Sequence, residues 1–178
     1  WDRGDAQIDV LQPRYLGDRI EKRLTREGLE TTAAPGAQHL LRRTEQIEVT
    51  LGERTVAIRT PTALGIIVAK AAGFQEIVID PERVRHLADI LTVGALMGSD
   101  DLENEAGYTR LEAQRVGNAI GHMINGQYEK ELRQWFPEGI EDRLNALSQM
   151  HRGQTKRTLE KRARNGAVLV KSNETFLA

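Results

Sequence analysis

The segment from Pro61 to Met97, PTALGIIVAKAAGFQEIVIDPERVRHLADILTVGALM, constrains the fold more than any other stretch. Leu64, Ile67, Val68 and Ala71 recur at i, i+3, i+4 and i+7, the stripe of an amphipathic helix with one buried face. Thr62 follows Pro61 and is placed to cap that helix, and Gly73 is expected to end it. Val84, Leu87, Ala88, Leu91, Gly94 and Ala95 predict a second helix with Pro81 at its start. Lys70 lies about 200° from Val68 at roughly 100° per residue, so it points away from the main stripe. Arg85 and Asp89 are four residues apart and share one face of the second helix.

A cation on one apolar helix and an Arg/Asp pair on the next admit two readings. In the first, Lys70 lays its stem along the core with its ammonium in water, and Arg85 with Asp89 is an ordinary surface pair. In the second, all three belong to a site. Spacing alone does not separate them.

Composition narrows the setting. With 25 basic and 26 acidic residues in 178, the net charge is −1, so no global field steers the chain toward nucleic acid or a membrane. Cysteine is absent, which excludes disulfides and thiolate metal sites and fits a cytoplasmic location. No apolar run approaches the ~20 residues of a membrane span, so no membrane partner is expected. The chain opens on Trp1 rather than Met, and the numbering is expected to begin inside a longer gene product.

Ala6 to Val10 alternates apolar and polar residues and predicts a strand that carries Asp9. A carboxylate there marks either a solvated face or a group aimed at a cation. Residues 14 to 38 read mostly as loop, with a short helix over Asp18 to Arg26 and breaks at Gly17, Gly28 and Pro35-Gly36. Ala37 to Arg43 predicts a brief helix. Glu45 to Leu51 and Arg54 to Arg59 alternate around Gly52-Glu53, a hairpin signal.

Beyond the two central helices, Gly98 to Glu105 reads as a polar connector. Thr109 to Ile124 predicts a third helix, with Leu111, Val116, Ala119, Ile120 and Met123 toward a core. Trp135 and Phe136 are expected to anchor a fourth that stops at Pro137, and Ile140, Leu144 and Leu147 to define a fifth. From His151 to Arg164 the only acid is Glu160, and Ala167 to Val170 reads as a strand or a disordered tail. Strands followed by helices indicate an α+β class with segregated layers.

The four histidines (His39, His86, His122, His151) show no HxxxH or HExxH spacing, and His86 reads as a packed histidine. GxSxG, GxxxxGK[ST] and GxGxxG are all missing, so nucleophilic catalysis and a P-loop have no support. What remains is Asp9, Lys70, Arg85 and Asp89. A strand carboxylate can hold Mg²⁺ or act as a base, and a lysine can neutralise a triphosphate.

The succession RGDAQIDVLQP, PGAQHLLRRTEQIEV, TPTALGIIVAKAAG and RHLADI resembles the nucleotidyltransferase-fold toxins of the AbiEii type, including their MenT-like members. The similarity covers roughly residues 1 to 97, in order and with similar gaps. It implies a partial nucleotidyltransferase sheet, strand plus β-hairpin, followed by a helical bundle. The implied division is 1–60 for the rest of the sheet domain, 61–150 for helices completing the NTP site, and 151–178 for a basic tail.

The resemblance further implies Asp9 as a catalytic and metal-binding carboxylate, Lys70 and Asp89 as catalytic residues, and Lys70 with Arg85 as contacts to the NTP. It implies Mg²⁺ as cofactor and nucleotide transfer from an NTP to an acceptor such as tRNA. The setting it suggests is a toxin paired with an antitoxin protein. This chain departs from the pattern because the family's Gly-Ser turn followed by an Asp-x-Asp pair occurs nowhere in it. Two of the expected catalytic carboxylates are therefore lacking. The alternative reading is a nucleotidyltransferase-like module that binds a protein partner without chemistry.

Overall fold

The computed structural model describes residues 2–3, 6–7, 11–13, 32–98, 101–102 and 105–174. Its class is α+β: a two-stranded antiparallel hairpin with six helices among the described residues, and mostly helical. The chain divides into two compact units, Trp1–Ile90 and Leu91–Ala178.

In the first unit, short strands β1 (Asp2–Arg3) and β2 (Ala6–Gln7) pair antiparallel, and β3 (Leu11–Pro13) runs parallel to β4 (Thr32–Ala34). The strand expected over Ala6 to Val10 is thus described only at Ala6–Gln7. Asp9 and the helix expected over Asp18 to Arg26 lie outside the described residues.

Helix α1 (Ala37–Arg42) follows Gly36, whose φ of 79° is left-handed. A Cβ on Gly36 would lie 2.5 Å from the Ala69 carbonyl oxygen and 2.9 Å from its Cα. Only glycine fits both that backbone and that approach. Strands β5 (Thr44–Leu51) and β6 (Arg54–Pro61) form the expected hairpin, in register from Thr44↔Pro61 to Leu51↔Arg54. The turn places Gly52 at φ 62°, again the left-handed region.

Helix α2 (Ala63–Glu76) starts on Thr62, whose hydroxyl accepts the Gly65 N–H at 3.2 Å. Leu64, Ile67, Val68, Ala71, Ala72 and Phe74 are buried. The helix does not end at Gly73 but runs three residues further. Gly73 eases the packing there, since a Cβ would come 3.3 Å from the His86 ring, tighter than an ordinary contact. Burying Phe74 offsets the ~1 kcal/mol that a mid-helix glycine costs.

Helix α3 (Val84–Leu96) begins three residues after Pro81, not on it. Asp80 and Pro81 instead belong to a preceding turn, in which the Asp80 carboxylate accepts the Glu82 N–H at 2.8 Å. Leu87, Ala88, Ile90 and Leu91 are its buried residues, whereas Ala95 is exposed.

In the second unit, α4 (Arg110–Ile124) opens with a capping box. The Thr109 hydroxyl accepts the Glu112 N–H at 3.2 Å and the Glu112 carboxylate accepts the Thr109 N–H at 2.7 Å. Val116, Ala119, Ile120 and Met123 are buried as the stripe predicts, but Leu111 is 49 % exposed. Its place in the first turn belongs to Glu112, which the capping box draws inward. In α5 (Glu129–Trp135) the anchor is Leu132; Trp135 is 57 % exposed.

The largest correction concerns the C-terminal third. The fifth helix, the basic segment and the Ala167 to Val170 stretch are one helix, α6 (Ile140–Glu174). No proline occurs after Pro137, so nothing interrupts backbone hydrogen bonding once the helix has started. Ile140, Leu147 and Gln154, seven apart, form its buried seam. Beside that seam the buried Tyr108 donates its hydroxyl to Met150 Sδ at 3.4 Å, while Thr158 Oγ1 donates to the Tyr108 carbonyl oxygen.

Candidate functional site

Lys70 sits on α2 among buried neighbours, Ala69 and Ala71 beside it and Ile67 and Phe74 at i−3 and i+4 on its own face. Asp89 sits on α3, flanked by the buried Ala88 and Ile90. With those apolar faces packed away, the two polar side chains meet: Lys70 Nζ lies 2.6 Å from Asp89 Oδ2. Their side chains are 38 % and 39 % exposed, so the pair is partly screened by water and on the order of 1 kcal/mol or less in stability. One ammonium proton is committed to Asp89, and the other two remain available to an acceptor.

Arg85 is held differently from what its spacing to Asp89 suggests. Its Nη2 lies 3.1 Å from Asp80 Oδ2 and its Nη1 3.4 Å from Glu82 Oε2. Both carboxylates come from the turn before α3, so the guanidinium folds back toward the helix start. Sequence reasoning passed over Asp80. Its signal was present, since an Asp-Pro ahead of an apolar run marks a turn with an acceptor at the helix entrance.

His86 completes the cluster. Its ring rests against Gly73, and both ring nitrogens are buried without a hydrogen-bond partner. Burial holds its pKa below the ordinary 6.5, and the cations of Lys70 and Arg85 push the same way against the weaker pull of Asp89 and Asp80. The ring is therefore neutral at pH 7, as befits a packing group. The Arg83 guanidinium lies 5.0 Å from the Phe74 ring centroid.

The structure therefore brings Lys70 and Asp89 together and turns Arg85 to other partners; Asp9 lies outside the described residues. Among the described residues, no group of three His, Asp or Glu side chains converges as a metal site would require. None of their helices is long and apolar enough to cross a membrane.

The second unit has a groove of about 350 Å³ lined by Met123, Ile140, Leu144, Glu129, Arg133 and Glu141 among others. Its cation is already occupied: Arg133 Nε lies 2.8 Å from Glu129 and Nη2 2.7 Å from Glu141. Comparison with protein-family models, curated proteins and solved structures found no match to this chain.

Proposed function

We propose that the chain is a nucleotidyltransferase-type protein in which Lys70 binds the phosphates of an NTP. The supporting observation is the Lys70–Asp89 pair, a half-exposed ammonium held at 2.6 Å by a carboxylate from the neighbouring helix. A structural lysine needs no such partner, because a long side chain reaches water unaided. A phosphate-binding lysine gains from one, since fixing its rotamer beforehand lowers the entropy lost on binding.

In this reading Asp89 orients Lys70, and Lys70 directs its remaining N–H groups to phosphate oxygens. Arg85, tied to Asp80 and Glu82, reaches the nucleotide only by leaving them. Mg²⁺ would be held by Asp9 with further carboxylates, and would activate the attacking group and neutralise the triphosphate. The described residues supply no cluster for it, so the proposal assigns them no metal-dependent step. The acceptor proposed is tRNA, with the exposed Arg152, Lys156, Arg157 and Lys161 of α6 as phosphate contacts. The cellular role proposed is a cytoplasmic toxin opposed by an antitoxin protein.

Replacing Lys70 by Met keeps most of the stem and removes the cation. Isothermal titration with an NTP and Mg²⁺ is expected to show affinity about 10- to 100-fold lower, the worth of a charge-assisted hydrogen bond or two. Thermal unfolding should change by no more than the small contribution of a half-exposed pair. Equal NTP binding by Lys70→Met and the parent would remove the site.

A further inference from the structure

The hairpin carries an apolar face that the described structure leaves in water. In its antiparallel register, Glu45↔Thr60, Ile47↔Ile58, Val49↔Val56 and Leu51↔Arg54 are cross-strand partners whose side chains share one face. Ile47, Val49, Leu51, Val56 and Ile58 are 39 %, 38 %, 85 %, 55 % and 42 % exposed. The other face is polar, with Gln46, Glu48, Thr50, Thr55 and Arg59, and with the Thr50 and Thr55 hydroxyls hydrogen-bonded at 2.9 Å. Strict alternation of this kind is the pattern of a ribbon that buries one side. Five contiguous aliphatic side chains on one side exceed the scatter of single apolar residues usual on a surface.

The charges on that face indicate what covers it. The apolar rows are bounded by an acid at one end, Glu45, and a base at the other, Arg54. Both are exposed, and neither forms an ion pair among the described residues. The four rows are evenly spaced, so their midpoint falls between the Ile47–Ile58 and Val49–Val56 pairs. A two-fold axis through that midpoint, across the strands, lays the tip of one hairpin over the base of another. The Glu45–Thr60 row then covers the Leu51–Arg54 row of the second copy, and Ile47–Ile58 covers Val49–Val56. Each Glu45 faces the partner row that carries Arg54, on the neighbouring strand and across a sheet spacing of about 10 Å that two long side chains can bridge. The alternative axis, along the strands, would leave the two charges about 20 Å apart.

We propose that this hairpin face is a homodimer interface, in which two copies of the chain pack tip to base through Ile47, Val49, Leu51, Val56 and Ile58. Two symmetry-related Glu45–Arg54 pairs fix the direction. This interface is independent of the NTP site. The face is small beside the ~800 Å² per partner of a stable interface, so dissociation near 10–100 µM is expected.

The test is sedimentation equilibrium of the 178-residue chain from about 1 µM to 1 mM, bracketing that range. Glu45→Arg and Arg54→Glu each set like charges against each other twice per dimer, and each should weaken association about tenfold. The double variant carrying both changes should return to within a few-fold of the parent. All four proteins should share one circular dichroism spectrum, because both positions are exposed. A monomer at every concentration overturns the proposal and leaves the face to a different partner. So does a dimer whose affinity ignores the single reversals, or one that the double variant fails to rescue.

Discussion

Replacing Gly36 by Ala probes the close approach of α1 to α2. Two costs act together at that position. At φ 79° an alanine backbone pays about 1–2 kcal/mol for the left-handed conformation. The added Cβ would also lie 2.5 Å from the Ala69 carbonyl oxygen and 2.9 Å from Ala69 Cα. Both of those atoms are backbone in the buried middle of α2, so no side-chain rotation relieves the overlap. Forcing the elements apart should add about 1–3 kcal/mol, as overpacking does elsewhere.

Gly52 separates these terms. Its φ is 62°, but a Cβ there meets nothing within 4 Å, so Gly52→Ala pays only the conformational cost. Thermal unfolding followed by circular dichroism should show Gly52→Ala lower by about 2–8 °C and Gly36→Ala by about 4–20 °C, at roughly 2–4 °C per kcal/mol for a chain of this size. Equal losses for the two variants would refute the steric argument and with it the contact between Gly36 and Ala69.

Acidification should destabilise the protein through His151 and His86. Burial lowers the pKa of both below 6.5, and the charges of Lys70 and Arg85 add to the effect at His86. The unfolded state therefore binds more protons as pH falls through 6.5, so stability is flat above that value and declines below it. Denaturant midpoints at successive pH values should show this decline, and His151→Gln should flatten it. A parent curve with no slope between pH 6.5 and the folded pKa values would contradict the burial of these rings. Changing Lys156, Arg157, Lys161 and Arg162 together to Ala should weaken tRNA binding and reduce the slope of log affinity against log salt. Unchanged affinity and slope would make the segment a solvated face.

The hairpin and the central helices were legible because their signals are local and periodic. Alternation over Glu45 to Leu51 and Arg54 to Arg59 and the stripe through Leu64, Ile67, Val68 and Ala71 need no tertiary knowledge. Thr62 read as a cap for the same reason. The errors arose where a distant neighbour decides. Gly73 reads as a stop until His86 is seen to need the space. Leu111 reads as core until the Thr109–Glu112 box turns an acid inward. The continuity of α6 was hidden by its composition, because a basic stretch and a β-branched stretch look like separate elements.

The candidate site divides along the same line. The helical positions of Lys70 and Asp89 follow from periodicity, but the 2.6 Å contact depends on how two helices pack. The partners of Arg85 lie in a turn, where spacing rules for a helix do not apply.

The pairing of charges around Lys70 has a kinetic consequence. Lys70 and Arg85 each already hold a carboxylate, so the patch presents alternating charge rather than a positive field. Over distances beyond a Debye length of about 8 Å such a patch exerts little pull on a polyanion. An anion arriving there is selected at contact, by how well it accepts the two ammonium protons that Asp89 leaves to Lys70, and not gathered from solution. Its rate of association should therefore depend only weakly on ionic strength, while its rate of escape carries the discrimination between one anion and another.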